Sequence, residues 1–408
     1  MRILQLCPKV PWPPDDGGRV AMRILGLSLR EAGADVRALS LNPRKHRVDV
    51  GTLPEEAHPL RLEAVDLDTS VTVNGALRSL LSGTSYNVER FRSAAFEARL
   101  AAVVAEWPPD VVLLESLYMI PFLPALRRTT AAPVVLRSVN VEHEIWEGLA
   151  ANARGAILRL YLRRLAARLK AFEVGSMNDV DAILAVSEED AASYRRLGAT
   201  PPLHVAPVGM EAADWPDRSG RGAPGTLAFL GSLDWRPNLE AVRWFVGDIW
   251  PRVRAEVPDA RFLLAGSNPP PGLAASGRKE GIEFRGRVAD ARQFLSSGTA
   301  MVVPVLSGGG IRVKILEAMA LGVPVVSTRF GAVGIAAREG LELLLADDSE
   351  EFAAACVRLL REPAWAAALG RAGRSRILEG YGARAIASEI LGFLEKVDRS
   401  SSTVRAAD

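Results

Sequence analysis

With 408 residues, 49% hydrophobic and 24% charged, the chain has a globular composition and room for two or three domains, which excludes a disordered or fibrous polymer. Fifty basic and 48 acidic side chains leave a net charge of +2, so no nucleic-acid partner is expected. Two cysteines exclude a disulfide framework, and four scattered histidines (His46, His58, His143, His204) lack metal-ligand spacing. No bound metal or cofactor is expected, and the setting is expected to be cytoplasmic.

Taken in chain order, Met1-Arg2 leads straight into Ile3–Cys7 and Pro8, too short for the apolar core of a signal peptide. Strands are predicted at Arg2–Leu6, Asp35–Ser40, Val111–Glu115, Val134–Arg137 and Ala182–Val186, with a helix over Val20–Ala32 stopped by Gly33. A second series follows at Leu227–Leu230, Arg261–Ala265, Ile282–Phe284, Met301–Pro304, Val323–Ser327 and Glu342–Leu345. Helices are predicted between these strands at Asn238–Trp250, Val313–Leu321 and Ser349–Leu360. Short, fully apolar strands separated by helices imply α/β architecture, with parallel sheets covered on both faces. The stretch Val111–Leu126 is the most apolar, but Glu115, Pro121 and Pro124 make it unfit to span a bilayer.

The Pro201-Pro202 pair and the Gly-, Pro- and Asp-rich segment 210–225 mark a domain boundary. Two doubly wound domains of similar size are expected, residues 1–205 and 206–375, facing each other across a cleft. A C-terminal helical segment over 376–398 should pack back on the first domain, with a disordered tail over 399–408.

Residues Met301–Thr328 read strand, glycine loop, helix, strand. Gly308, Gly309 and Gly310 fall where a strand end turns into a helix N-terminus. Free amides and the helix dipole there favour an anion, and glycine lets a phosphate approach. Arg312 and Lys314 add positive charge, and Glu317 follows about one turn into the helix, where a carboxylate can accept from sugar hydroxyls. A plain tight turn with surface charges is the alternative. Gly17 and Gly18 form a second loop of this kind after the first strand. Neither loop is a dinucleotide fingerprint or a P-loop.

These segments resemble the GT-B glycosyltransferases of glycosyltransferase family 4. The likeness is densest in FLGSLDWRPNLEA, FLLAG, IEFRGRVAD, the Met301–Thr328 segment and FGAVG, and extends to PPDDGGR, LRSVNVEHEIW and VSEED. It implies two Rossmann-like domains and a retaining transfer without an essential metal. The donor implied is a UDP- or GDP-linked sugar, and the acceptor a glycan, a lipid-linked sugar or a small molecule. Carried over by position, Glu317 matches the second glutamate of the E-x7-E motif, which binds the donor ribose. Gly17 and Gly18 match the loop facing donor phosphates and acceptor, and Gly231 the glycine after the first donor-domain strand. Arg287 and Val288 stand where backbone reads the nucleobase. The donor diphosphate is assigned to the amides of Gly309–Ile311 with Arg312 or Lys314. Three departures stand out. Gly309 replaces the first motif glutamate, Asp234–Asn238 lacks the usual Arg…Lys pair, and Val139–His143 has no clear match to the usual histidine.

Gly18, Asn140, Glu142 and His143 are the candidate catalytic residues, Asn140 and Glu142 because they follow directly on a predicted strand end. A lone histidine between glutamates is ordinarily a surface or supporting group, and Asp15-Asp16 reads as exposed acids in a proline-rich turn rather than a metal pair. The stretch Arg154–Lys170 carries Arg154, Arg159, Arg163, Arg164, Arg168 and Lys170 without an acid. Leu158, Tyr161, Leu162, Leu165, Leu169 and Phe172 repeat on the opposite face. Such a helix either packs its apolar face in the core or contacts anionic membrane at the inner face. Rival functions are a nucleotide-sugar-binding module without transfer activity and a nucleotide-sugar epimerase.

Overall fold

Successive residues of each apolar run point to opposite faces of a sheet, and both faces are covered. The structure, a computed structural model, describes residues 1–70, 85–151, 153, 155–270 and 281–407. It divides into two units, Met1–Gly209 with Ala383–Asp408, and Met210–Gly382.

The first unit is built on a seven-stranded parallel sheet. Its strands are β1 (Arg2–Cys7), β2 (Asp35–Pro43), β3 (Glu63–Leu67), β4 (Val111–Glu115), β5 (Val134–Ser138), β6 (Ala182–Ala185) and β7 (Leu203–Val205), in spatial order β3-β2-β1-β4-β5-β6-β7. Ile3, Val36, Val111, Leu113, Val135 and Leu184 enter one core. Their neighbours Leu4, Val112, Leu114, Val134, Leu136 and Ile183 enter the other. The first core is closed by Leu25 and Leu29 of the helix Gly17–Glu31 and by Ile386, Ala387, Ile390 and Leu394 of the last helix, Ala383–Ala407. The helix ranges differ from those expected at two places. Residues 376–380 belong to the helix Pro363–Gly380 of the second unit, and 399–407 continue the last helix rather than forming a disordered tail. The stretch after Arg399 contains no proline or glycine to stop it.

The second unit carries β8 (Ala223–Leu230), β9 (Arg261–Ala265), β10 (Ile282–Gly286), β11 (Gly298–Val303), β12 (Val325–Ser327) and β13 (Leu344–Leu345), in order β10-β9-β8-β11-β12-β13. The helix expected over Asn238–Trp250 runs Arg236–Trp244, widens into a π turn at Phe245–Ile249, and resumes at Trp250–Glu256 with Pro251 in its first turn. The π turn places Phe245 4.5 Å from Phe262 of β9, ring to ring. No described helix is long and apolar enough to cross a membrane.

Candidate active site

In the second unit, strand order runs outward from β8 to β9 and β10 on one side and resumes with β11 on the other. The carboxyl ends of β8 and β11 therefore form a topological switch point, the place where open parallel sheets bind ligands. Gly231 follows β8. Pro304–Leu306 and the glycine loop follow β11 and lead into the helix Val313–Ala320. Gly308 and Gly310 have φ of 109° and 71°, the left-handed region that admits glycine most readily.

Arg312 folds back on this loop. Its guanidinium donates to the carbonyls of Gly309, Gly310 and Ser307 and lies over the Phe330 ring. Burial pushes its pKa down to about 10. It thus holds the loop's shape with donors already in use, and of the two cations considered from sequence only Lys314 reaches β8. The Lys314 ammonium meets Asn238 Oδ1 at 3.3 Å and stands 5.0 Å from the centre of the Phe229 ring. A Cβ on Gly231 would fall 2.6 Å from Lys314 Nζ, so glycine there makes room for the lysine. Asn238 Nδ2 donates to the Ser232 carbonyl at 2.9 Å, which turns its oxygen toward the lysine. Burial, with Arg312 adding to it and Glu317 opposing, brings Lys314 down to about 7. A half-buried ammonium resting on a neutral amide is receptive to an anion.

Other side chains tie neighbouring loops to this point. Glu240 accepts from Arg236 Nε at 2.7 Å and from Ser307 Oγ at 3.3 Å, joining the loop after β8 to the glycine loop. The Ser232 and Ser267 hydroxyls meet at 3.0 Å, linking the loops after β8 and β9. Glu317 lies three residues beyond Lys314 on the same helix, half-buried. Ile311 lies in the turn before that helix, and its carbonyl accepts from Val313. Arg287 and Val288 follow the carboxyl end of edge strand β10. Trp235, Leu306 and Phe330, after β8, β11 and β12, are exposed. Sequence reasoning missed Asn238 and Glu240 as site residues. Their only signal was polarity at spacing 2 in the turn where a basic pair was sought.

The first unit has its own switch point between β1 and β4. Gly17 and Gly18 open the helix Gly17–Glu31, and Asp16 caps it by accepting from the Arg19 amide at 3.0 Å. Burial raises the Asp16 pKa, but Lys9 at 2.6 Å and the Arg19 amide outweigh it and hold the carboxyl below its usual range. Asp15 pairs with Arg19 Nη1 at 2.8 Å. These acids are thus engaged in shaping the turn. Ser116, just past β4, has φ 115° and ψ 154°, a conformation ordinarily left to glycine that costs about 1–3 kcal/mol.

Beyond β5, Glu142 receives hydrogen bonds from Tyr118 Oη at 2.9 Å and Asn140 Nδ2 at 3.2 Å. Burial raises its pKa to about 7; Tyr118 and Asn140 oppose the rise and Glu173 adds to it. Glu173, fully buried on the helix Ala156–Ser176, accepts from the backbone amides of Glu142 and His143 at 3.1 Å each and from Tyr194 Oη at 2.8 Å. His143 Nδ1 lies 2.7 Å from the same carboxylate, and the ring is only 2% exposed. Glu173 thus holds the His143 ring within this network. Glu173 escaped the sequence reading, yet it lies four residues after Leu169 on the buried face, a phase that marks an acid in the core. Below the site, Arg137 and Glu115 form a buried pair at 2.8 Å. Gln5 joins Glu115 at 2.7 Å, while Arg137 and Gln5 also donate to Ala21 and Met22 carbonyls of the glycine-loop helix.

Comparison with known proteins agrees with this arrangement. A family model described as "Glycosyl transferase 4-like domain" matches residues 16–209, and one described as "Glycosyl transferases group 1" matches 224–362. A GDP-mannose-dependent monoacylated alpha-(1-6)-phosphatidylinositol monomannoside mannosyltransferase from Corynebacterium glutamicum is 23% identical over 69% of this chain and 81% of its own. A sucrose-phosphate synthase from Thermosynechococcus elongatus superposes with a TM-score of 0.71 at 18% identity, over 98% of this chain and 100% of that one. The Anabaena protein HepE in complex with UDP-glucose gives 0.66 at 16% identity, over 97% and 100%. The binding-module and epimerase alternatives are not favoured by these matches. With transferase models on both units and the same fold along the whole chain, the protein belongs to the GT-B glycosyltransferases of the family 4 type and is a sugar-transferring enzyme.

Proposed function

We propose that the enzyme transfers sugar from a UDP- or GDP-linked donor with retention of anomeric configuration and without an essential metal ion. The second unit holds the donor and the first the acceptor, a glycan, lipid-linked sugar or small molecule. The observation that carries this reading is the half-buried Lys314 ammonium beside Gly231 at the β8–β11 switch point. Negative charge grows on the leaving diphosphate as the glycosidic bond breaks, and fixed cations, amides and a helix N-terminus can stabilise it. Lys314 supplies the cation in place of the Arg…Lys pair missing from Asp234–Asn238, whose Arg236 is engaged by Glu240, while Pro237 packs toward Gly308. The amides of Gly309–Ile311, in the loop that leads into the Val313–Ala320 helix, complete the anion site. Glu317 takes the ribose hydroxyls, and backbone at Arg287 and Val288 takes the base. Both donor classes occur among similar proteins, GDP-mannose in the mannosyltransferase and UDP-glucose in the HepE complex. On the acceptor side, Gly18 stands in the first turn of the helix after β1 and Asn140 and Glu142 just past β5, with His143 and Glu173 holding the turn. The protein works in the cytoplasm at the inner face of the membrane; its two cysteines are buried and unpaired.

Release of nucleoside diphosphate from a panel of nucleotide sugars tests this reading. Lys314→Ala should lower turnover by about 10²–10³ while leaving binding of the phosphate-free nucleoside near wild type. Equal losses for nucleoside and nucleotide sugar would overturn the assignment.

A further inference from the structure

The helix Ala156–Ser176 packs on the helix Glu142–Ala151 through Leu162 and Leu165, which meet Ala150, Ala153, Trp146 and Leu149. Its apolar side reaches a core only from Leu162 onward. Leu158 and Tyr161, expected in that core from sequence, are 40% and 38% exposed, and Ile157 and Leu160 are 88% and 54% exposed. Arg154 lies outside the described residues. Ile157 is the most exposed large hydrophobic side chain among the described residues. At helical spacing, Ile157, Leu160, Tyr161 and Arg164 share one face, so the apolar first turns run directly into arginine. Arg163 and Arg164 are exposed beside them.

We propose that this end of the helix binds the surface of an anionic lipid bilayer. Ile157, Leu158 and Leu160 enter the acyl boundary, Tyr161 sits at headgroup level, and Arg163 and Arg164 meet lipid phosphates. Seven residues at 1.5 Å rise place Arg164 about 10 Å along the axis from Ile157, so the same end of the helix offers apolar side chains to the acyl boundary and arginines to the headgroups. A bilayer supplies apolar and anionic partners in that order. A second copy docked through this face brings the same stretch 155–170, which contains no acid, and so no anionic partner for Arg163 and Arg164. The inference gives residues to the membrane location proposed above. It does not depend on the donor site, which nucleoside diphosphate release in vesicle-free solution tests separately.

The test is co-sedimentation of the full chain with phosphatidylcholine vesicles, with and without phosphatidylglycerol, at low and high salt. Binding should require phosphatidylglycerol and weaken with salt. The double variants Ile157→Asp/Leu160→Asp and Arg163→Glu/Arg164→Glu should each bind on the order of tenfold or more weakly. Both should keep wild-type unfolding temperature and donor turnover, since these side chains are exposed. Binding indifferent to phosphatidylglycerol, wild-type binding by either variant, or no binding at all would overturn the proposal. A dimer in light scattering that the Ile157/Leu160 variant abolishes would assign the face to a second copy instead.

Discussion

If Lys314 carries the donor diphosphate, donor affinity must depend on pH in a way set by its burial. The free ammonium has a pKa of about 7 because burial, with Arg312 beside it, disfavours the charge. A diphosphate in contact reverses that balance and raises the pKa of the bound state. Only the protonated lysine binds well, and it makes up roughly half the population at pH 7 and about one-tenth at pH 8. Affinity should therefore fall about tenfold per pH unit above neutrality, about 1.4 kcal/mol each. Binding at pH 8 should take up about 0.9 proton per donor, by the same populations. The diphosphate of a nucleotide sugar is fully ionised across this range, so the proton comes to the protein. Calorimetry in buffers of different ionisation enthalpy measures the uptake directly. Lys314→Arg should bind with little pH dependence, and Lys314→Ala weakly at every pH. Affinity flat from about pH 6 to 9 in wild type, with no proton uptake, would refute the reasoning.

Three further perturbations follow from the first unit. Glu115→Ala should destabilise it by about 3–5 kcal/mol, because Arg137 is left charged and buried without its partner; denaturant unfolding reads this, and a loss under about 1 kcal/mol contradicts it. The Glu142 pKa is raised from 4.5 to about 7, so its contribution is harmless below about pH 4 and becomes a penalty as pH rises toward and past 7. Glu142→Gln should then gain up to roughly 3 kcal/mol over wild type at pH 8 and little at pH 4.5; the same difference at both pH values would argue that Glu142 is not buried and protonated as described. Ser116→Gly should stabilise by about 1 kcal/mol by relieving the positive φ. Unfolding midpoints lower than wild type would show the backbone to be unstrained.

The central strands were legible because both their faces are buried. Val111–Glu115 and Ala182–Ala185 read as continuous apolar runs. The edge strands of the first sheet were not. Glu63 and Asp66 interrupt β3, and β7 has only three residues after a proline pair. Edge positions are half-exposed and tolerate charge, so hydrophobicity does not announce them. The glycine loop could be read because its residues are contiguous. The Lys314–Asn238 contact could not, since it spans 76 positions and exists only once β8 and β11 pair. Charge and position alone did not separate Arg312 from Lys314, although the family resemblance favoured the lysine. The fold separates them by turning one back onto the loop carbonyls and sending the other toward Gly231.

The most direct test of retaining, metal-free transfer needs no knowledge of the acceptor. With water as acceptor and EDTA present, proton NMR of the freshly released sugar from an α-linked nucleotide sugar reports its anomeric form before mutarotation. The account predicts that the α-anomer appears first, at a rate unchanged by the chelator and lost in Lys314→Ala. Initial release of the β-anomer, or release that begins only when Mg²⁺ or Mn²⁺ is restored, would contradict it.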